Sequence, residues 1–300
     1  MHGLVVNPQF MLLQRTAQVA GHLNAGREGY ALYTEELTVH ALNRIEVASD
    51  LRRALEQHEL RVYYQPVHDL NTSRLIGVEA LVRWQHPLRG LVPPGEFIPI
   101  AERTGLIAEI DAWVLEQACW QMCQWQSAGV DLTFVAVNIS SRLFARPELY
   151  TLVSTVLADT GLDPALLELE VTESAVMDDS QGALEQMHRL RALGLRLAID
   201  DFGTGFSSLL RLKRLPVQKL KIDQGFVAGL PEDNDDVAIV RAVIALSHSM
   251  GLQVHAEGIE QIEQAQFLLN LNCNLGQGYW FGRPMPASEL DWQRAPAISR

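Results

Sequence analysis

From residue 134 onward the sequence repeats one pattern, in which a short apolar stretch is followed by a segment with helical periodicity. The apolar stretches are rich in β-branched and aliphatic residues, which is typical of strands covered on both faces. They lie at residues 134–138, 166–171, 195–200, 217–223 and 252–257, and a last short segment covers 276–279. Repeated strand–helix units require parallel strands and right-handed crossovers. This many units in one run favour a (β/α) barrel over an open sheet.

Helical segments are expected between these strands and upstream of them. The predicted helices cover about 35–60, 97–103, 108–128, 141–159, 180–193, a short stretch from 208, 235–250 and 261–271. The stretch 86–97 contains several prolines and glycines, which predicts a loop. Two further strands are predicted at 60–67 and 75–84, and the polar turn between them indicates an antiparallel hairpin.

Composition limits the function classes that the chain can serve. Its 300 residues are 48% hydrophobic and 20% charged, as expected for a soluble globular chain with a large core. The net charge of -12 argues against broad binding of nucleic-acid polymers, which requires a basic face. A small phosphorylated ligand stays possible, because bound cations can reverse the local field.

The cysteines and the hydropathy pattern predict a cytoplasmic location. Cys119, Cys123 and Cys273 are too few and wrongly spaced for a zinc site or a disulfide framework, which favours a reducing compartment. Packing is the better interpretation of Cys119 and Cys123, which are one helical turn apart. No run approaches the roughly 18 apolar residues of a membrane span. The first ten residues lack the pattern of a signal peptide.

Polar side chains collect where the predicted strands end. In chain order they are Glu79, Asn138, Glu170, Asp200, Asp201, Lys221, Asp223, Glu257 and Gln277. The carboxyl ends of barrel strands lie on one face, where barrel enzymes place their active sites. One such residue is readily explained as a helix N-cap, but so many in succession are not. Hard oxygen ligands without His or Cys favour magnesium or manganese over zinc. The set is large enough for two adjacent ions, an arrangement that commonly hydrolyses phosphate esters.

The adjacent Asp200 and Asp201 precede a loop that contains Gly203 and Gly205, so the loop can turn tightly or move. Glu173 follows just beyond a strand end and could accept hydrogen bonds from backbone amides of this loop. Lys221 has two interpretations that can hold together. It could neutralise surplus carboxylates, or its ammonium could position the attacking water and stabilise phosphoryl charge.

Other candidates are less specific. Arg83 offers a bidentate guanidinium for a phosphate, although a surface ion pair explains it equally well. Tyr64 and Tyr279 could stack on a base, or belong to the core or the rim of a site. His86 and His255 are better explained as structural residues than as catalytic ones.

Eight ordered sequence blocks together carry a family resemblance. They are YYQP (63–66), EALVR (79–83), VNIS (137–140), ELEVTES (168–174), DDFGTGFSSL (200–209), KLKID (219–223), AEGIE (256–260) and GQGYWFGRPM (276–285). The chain resembles the EAL family of cyclic di-GMP phosphodiesterases over residues 51–285. The resemblance implies a modified TIM (β/α)8 barrel whose first strand is antiparallel. In the loop after Asp201, Phe206 stands where the family commonly has a tyrosine.

The resemblance also implies roles for individual residues. The implied metal ligands are Glu79, Asn138, Glu170, Asp200, Asp201 and Glu257. Lys221 corresponds to the lysine that orients the water and, with Glu79, Asp200 and Glu257, makes up the expected catalytic group. The implied substrate-binding or supporting residues are Gln65, Leu81, Arg83, Asp223, Glu260, Gln277 and Tyr279. Glu173 corresponds to the residue that anchors the loop.

The implied reaction is the hydrolysis of cyclic di-GMP to linear pGpG, which lowers a second messenger of bacterial signalling. Two Mg²⁺ or Mn²⁺ ions are expected to support it and Ca²⁺ to inhibit it, because calcium coordination is looser. A homodimer is expected. The alternative function is that of a catalytically silent cyclic di-GMP receptor, since family members that have lost activity still bind the nucleotide.

The expected organisation has three parts. Residues 1–50 form a linker or helical extension, 51–290 the phosphodiesterase barrel, and 291–300 a tail. Residues 12–37 weakly resemble the end of a GGDEF domain. This predicts an upstream sensory or GGDEF domain in a longer parent protein.

Overall fold

The computed structural model describes residues 47–177, 181–203, 209–292 and residue 298. Several predictions fall outside these residues. They concern the extension before residue 47, including its GGDEF-like segment, Phe206 and the helix start near 208, and most of the tail.

The described residues form a barrel of strands. The strands are β1 (Leu60–Asp69), β2 (Leu75–His86), β3 (Gly90–Val92), β4 (Phe134–Ile139), β5 (Leu167–Thr172), β6 (Arg196–Phe202), β7 (Lys219–Ile222), β8 (Gln253–Ala256) and β9 (Leu275–Gln277). The order β1-β9-β8-β7-β6-β5-β4-β2 closes on itself through β1–β2 pairing, and β3 adds to the outer end of β2. Strand β1 is antiparallel to both of its neighbours, whereas β2 and β4 to β9 are parallel. The predicted fold class, a modified TIM barrel with an antiparallel first strand, is confirmed.

Helices surround this barrel. They are α1 (residues 47–56), α2 (Pro94–Thr104), α3 (Ile107–Ser127), α4 (Ser141–Phe144), α5 (Glu148–Thr160), α6 (Glu173–Met177), α7 (Gln181–Ala192), α8 (Leu209–Leu212), α9 (Gln224–Ala228), α10 (Asn234–Ser249) and α11 (Ile262–Asn270). No helix in the described ranges is long and apolar enough to cross a membrane.

The single helix predicted at 141–159 is wrong. The structure has two helices there, α4 and α5, which are separated by residues 145–147. Ser140 caps α4 by accepting from the backbone N–H of Leu143. Pro147 stands immediately before α5. A backbone N–H at this position has no partner within the helix, so proline is tolerated there. The proline thus marks the start of the second helix.

The loop predicted at 86–97 is wrong in part, and so is the end of the first helix. Residues Gly90–Val92 pair antiparallel with Trp84–His86, and Gly90 adopts a positive φ of 71° that lets the chain reverse. The first helix, α1, ends at residue 56 and not at 60. Leu60 is the first residue of β1, where it pairs with Trp84.

Two short helices that follow strands directly were not predicted. They are α6, which begins at Glu173 after β5, and α9, which begins at Gln224 after β7. Each has five residues, too few for a helical period to be visible in the sequence. Asp223 caps α9 by accepting from the backbone N–H of Gly225 at 3.0 Å.

The barrel interior contains an apolar cluster and buried charge. Val67, Phe134, Ala136 and Leu275 form this cluster. Lys219 lies against it, 3.9 Å from the centre of the Phe134 ring, and pairs with Glu168 at 2.6 Å. The larger core fills the space between strands and helices and includes Cys119 and Cys273. All three cysteines are free thiols.

Candidate active site

A buried lysine lies among carboxyl groups at one end of the barrel. The Nζ atom of Lys221 is 2.5 Å from Glu170 Oε2 and 2.6 Å from Glu257 Oε1. The same nitrogen is 3.2 Å from Asp200 Oδ1 and 3.9 Å from Glu79 Oε1. These side chains come from five strands or strand ends, β2, β5, β6, β7 and the end of β8. The structure therefore brings four of the predicted acidic residues together around one ammonium group.

The electrostatics of this cluster are those of a site with surplus negative charge. Burial acts to lower the pKa of Lys221, but Asp200, Glu170, Glu257 and Glu79 outweigh it and raise that pKa well above its ordinary value. Lys221 is therefore a permanent cation. Burial raises the pKa of Glu257 to about 8 although Lys221 opposes the change. One ammonium is too little charge to neutralise the carboxyl groups around it.

The pKa of Asp201 is also raised, first by burial and then by the charges of Asp200 and Asp223. Oxygen atoms of Asp200, Asp201 and Glu257 all lie within 4.8 Å of one another. Oε1 of Glu170 is buried and has no hydrogen-bond partner among the described residues. Hard oxygen donors, surplus negative charge and a buried acceptor without a partner are what a divalent cation site offers. The residues fit such an ion.

Glu79 is held in place by a chain of amide side chains. Its Oε1 accepts from Asn138 Nδ2 at 2.5 Å, and its Oε2 accepts from Gln277 Nε2 at 2.6 Å. Gln277 Nε2 also donates to Gln65 Oε1 at 3.0 Å, and Gln65 Nε2 donates to the Gly282 carbonyl. The chain fixes the Glu79 carboxylate from two sides. Glu79 does not end its strand as predicted, because β2 continues to His86 in order to pair with β1 and β3.

The two adjacent aspartates lie at the end of β6 in an unusual backbone conformation. Asp201 has a φ of 53°, in the left-handed region, and its N–H donates to Asp200 Oδ1 at 3.0 Å. The following Gly203 has a φ of 102° and donates its N–H to Glu173 Oε2 at 2.9 Å. Glu173 is buried. It therefore ties the start of the loop after Asp201 to the neighbouring α6.

A cleft of about 310 Å³ opens from this cluster to the surface. Its lining includes all but one of the predicted substrate residues, namely Gln65, Leu81, Arg83, Glu260, Gln277 and Tyr279, together with Glu79, Asp200 and Glu257. Asp223 is the exception, and it caps α9 instead. A larger groove of about 610 Å³ lies between β1 and α3, and Tyr64 is the one predicted candidate among the residues that line it. The carboxylates and the cleft together form the candidate active site.

A comparison with known protein families decides the family. The EAL domain model matches residues 48–284. The chain belongs to the EAL domain family.

Two proteins of Pseudomonas aeruginosa illustrate the relatives of this EAL domain. The bifunctional diguanylate cyclase/cyclic di-GMP phosphodiesterase MucR is 46% identical over 265 residues, which is 88% of this chain and 39% of MucR. The cyclic di-GMP phosphodiesterase NbdA is 40% identical over 281 residues, which is 93% of this chain and 36% of NbdA. The chain thus spans less than half the length of these curated relatives.

Solved structures agree with the family assignment. A structure of the PaMucR phosphodiesterase in complex with c-di-GMP is 48% identical, with a TM-score of 0.79, and covers 82% of this chain and all of that one. The EAL enzyme Bd1971 in its cAMP- and cyclic-di-GMP-bound form is 30% identical, with a TM-score of 0.78, and covers 95% of this chain and 75% of that one.

Within this EAL domain, residues outside the strand ends take structural positions. Tyr64 packs edge-on against Trp125, with ring centres 4.8 Å apart, so it belongs to the core and not to the cleft. His86 accepts from the backbone amides of Leu88 and Arg89 and stabilises the β2–β3 turn. His255 is buried, and burial lowers its pKa well below the ordinary value, with the charges of Lys219 and Lys221 acting in the same direction.

Sequence reasoning missed several residues of the cleft. Gln224, Gly258, Gly278 and Pro284 line it. Gly258 and Gly278 follow Glu257 and Gln277 directly, so their position beside a strand end was a usable signal. Gln224 and Pro284 lie on the unpredicted α9 and on the segment after β9, where no periodic pattern marks them.

Proposed function

We propose that this EAL domain hydrolyses cyclic di-GMP to linear pGpG. The observation that carries the proposal is the convergence of four acidic side chains, Glu79, Glu170, Asp200 and Glu257, on Lys221 at the inner end of a cleft. The cyclic di-GMP phosphodiesterase names of MucR and NbdA, and the c-di-GMP complex of PaMucR, support the substrate.

The metal ligands in this proposal are Glu79, Asn138, Glu170, Asp200, Asp201 and Glu257. Their oxygen donors and surplus charge suit two Mg²⁺ or Mn²⁺ ions. When bound, such ions supply positive charge that polarises the phosphoryl group and lowers the pKa of a coordinated water. Asn138 and Gln277 hold Glu79 in a fixed orientation, which limits the reorganisation needed to bind an ion.

Lys221 acts in this proposal on the water and on the developing charge. Its ammonium has three N–H donors, which now face Glu170, Glu257 and Asp200, and it would donate to a water beside these carboxylates when cations take up their charge. The water oxygen bonds to phosphorus and the bond from phosphorus to one 3′ oxygen breaks. A carboxylate of the cluster accepts a proton from the water, and the 3′ oxygen takes one up. One water is added, and the ring opens to a 5′-phosphate and a 3′-hydroxyl.

The substrate lies along the cleft, where Arg83 supplies a cation. Burial lowers the pKa of Arg83, and nearby Tyr279, Glu79 and Tyr63 oppose this change. Gln65 and Gln277 line the cleft beside Glu79, and Gln277 donates to both the Glu79 carboxylate and Gln65. Leu81, Glu260 and Tyr279 complete the substrate-facing wall, and Asp223 supports the Asp201 side.

We also propose that the loop after Asp201 regulates the site and that Glu173 anchors it. In a homodimer, this loop would connect the interface to the metal ligands. Sedimentation that shows only monomer at high concentration, with full activity, would count against this coupling. The barrel at residues 51–290 would act in the cytoplasm, downstream of a sensory or GGDEF domain.

Incubation with cyclic di-GMP and either Mg²⁺ or Mn²⁺, followed by chromatography of the nucleotides, tests the reaction. We expect pGpG as the product, and Ca²⁺ should support binding without turnover. The absence of product in both metals would contradict the proposal. Tight binding that persists in chelator together with no turnover would instead indicate a receptor.

A further inference from the structure

The cleft is lined by charged side chains of both signs. Its inner end carries Glu79, Asp200 and Glu257, and Arg83 is the cation among the described residues that line it. Arg283 lies just beyond the cleft wall, with its guanidinium carbon 3.9 Å above the centre of the Tyr279 ring. Tyr279 itself lines the cleft and is 48% exposed. The outer end of the cleft therefore carries an aromatic ring and a guanidinium, and the exposed carboxylate of Glu260 belongs to the same lining.

The segment that carries Tyr279 and Arg283 is fixed on both sides. Before it, Gly278 lies so close to the backbone of Ile259 that a Cβ atom would meet Ile259 O at 2.1 Å. After it, the Met285 N–H and carbonyl exchange hydrogen bonds with Tyr64 of β1. Between the two, Phe281 is fully buried and stacks on His68. The two exposed side chains thus stand on a rigid turn.

Stacking on Tyr279 fixes the plane of the Arg283 guanidinium. An exposed arginine normally samples many rotamers, but contact with an aromatic face restricts it and leaves its N–H edge free to donate. A fixed guanidinium edge matches the O6 and N7 acceptors of guanine with two parallel hydrogen bonds. Adenine presents an N6 amino donor in place of O6, so it cannot accept both hydrogen bonds from the guanidinium.

The size of the cleft requires such an outer contact. Pockets that enclose a drug-sized ligand have volumes of about 300–1,000 Å³. A cleft of about 310 Å³ is at the lower end of this range, and a cyclic dinucleotide is larger than a typical drug. With one phosphate at the acidic end, the second nucleotide must extend toward Tyr279 and Arg283.

We propose that Arg283, held on the face of Tyr279, forms an outer subsite that recognises the guanine base of the nucleotide that is not cleaved. This inference rests on the proposed function, since it takes a cyclic dinucleotide as the ligand. Arg283 determines specificity and lies apart from the reacting atoms.

Calorimetric binding of cyclic di-GMP and cyclic di-AMP, with Ca²⁺ in place of Mg²⁺, tests the subsite without turnover. Wild type and the Arg283→Ala, Arg283→Lys and Arg189→Ala variants are compared. Arg189 is the matched control, because it stacks on Tyr150 at 4.3 Å on the outer surface of the barrel. A lost bidentate contact to guanine corresponds to a loss of affinity of about 5- to 150-fold. We expect such a loss for cyclic di-GMP in both Arg283 variants, with no change for cyclic di-AMP or in the control.

Three results would overturn the subsite. They are unchanged binding of cyclic di-GMP in Arg283→Ala, wild-type affinity in Arg283→Lys, and an equal loss for both dinucleotides, which would indicate charge alone. Hydrolysis of bis(4-nitrophenyl) phosphate in Mg²⁺ reports separately on the catalytic centre and should be the same in all four proteins. Selective binding that depends on Arg283, with no hydrolysis of cyclic di-GMP, would support the subsite and contradict the proposed reaction.

Discussion

Lys221 and Glu170 form an ion pair of 2.5 Å across the interior of the barrel, between strands that are not neighbours. Both side chains are completely buried. A second buried pair, Lys219 with Glu168 at 2.6 Å, joins the same two strands two residues earlier. The two pairs have similar burial and geometry, but only Lys221 also contacts Asp200 and Glu257. Because of this difference, we propose a catalytic role for Lys221 and a structural one for Lys219.

The Lys221→Met variant is expected to lose at least about 100-fold in kcat, since one positioned charge commonly contributes that much. Leaving Glu170 buried without its partner should also cost about 3–5 kcal/mol of unfolding free energy in chelator. Denaturant unfolding and turnover per folded molecule measure the two effects. The Lys219→Met control should lose similar stability and keep its turnover. Equal losses of kcat in both variants would refute a catalytic role for Lys221.

The strand–helix alternation was enough to predict the barrel, because a closed parallel sheet is the compact solution for so many units. Short elements were missed for a physical reason. Helices α6 and α9 have five residues each and are stabilised by contacts with the barrel instead of by their own periodicity. Strand β3 exists because β2 has a free edge at its outer end.

The candidate site was predictable to the extent that strands end in polar residues. Glu170, Lys221 and Glu257 lie at or beside the ends of parallel strands of one barrel, so topology alone brings them to the same end of it. The hydrogen bonds that orient them were not predictable. The contact between Gln277 and Glu79 joins residues 198 positions apart, and the stacking of Arg283 on Tyr279 depends on a turn with no sequence period.

Replacing Glu79 tests the metal ligands. Glu79 accepts hydrogen bonds from the side-chain amides of Asn138 and Gln277. In Glu79→Gln the new NH₂ group would face one of these N–H donors, and that hydrogen bond would be lost. We expect this variant, like Glu79→Ala, to lose at least about 100-fold in kcat/KM. Glu59→Gln is the control, because Glu59 accepts from Trp84 Nε1 in the same hairpin away from the cleft. Near-normal turnover in the Glu79 variants would refute its assignment as a metal ligand.

The anchor formed by Glu173 predicts an effect on metal affinity. In Glu173→Ala the Gly203 N–H loses its acceptor, and the Asp201 backbone is then less restrained. Residues that orient metal ligands typically contribute about 10- to 100-fold in metal affinity. We expect the Mg²⁺ concentration for half-maximal activity to rise by that factor, while kcat recovers at saturating metal. Glu173→Gln keeps an acceptor oxygen and should lie near wild type. If Ala and Gln variants need the same Mg²⁺ as wild type, the anchor has no role in metal binding.

Asp111 predicts a pH dependence of stability that is independent of catalysis. Burial raises its pKa from 3.8 to about 6, although Ser140 opposes the change by donating hydrogen bonds, and Glu102 adds to it. The folded state therefore favours the protonated form. Protonated Asp111 makes its full contribution to the free energy of unfolding below pH 4. This contribution is lost as the pH rises through 6 and the folded carboxyl ionises. A shift of this size corresponds to at most about 3 kcal/mol.

The Asp111→Asn variant cannot ionise, and its amide oxygen can still accept from the Ser140 N–H that now binds Asp111 at 3.0 Å. We therefore expect the variant to be more stable than wild type by about 1–3 kcal/mol at pH 8, with the difference closing below pH 4. Urea unfolding at a series of pH values measures this difference. Asp131→Asn is the control, since that side chain is 86% exposed and should change stability little at any pH. A stability difference for Asp111→Asn that stays constant across the series would show that the Asp111 carboxyl has the same pKa in the folded and unfolded states, in which case burial does not raise that pKa.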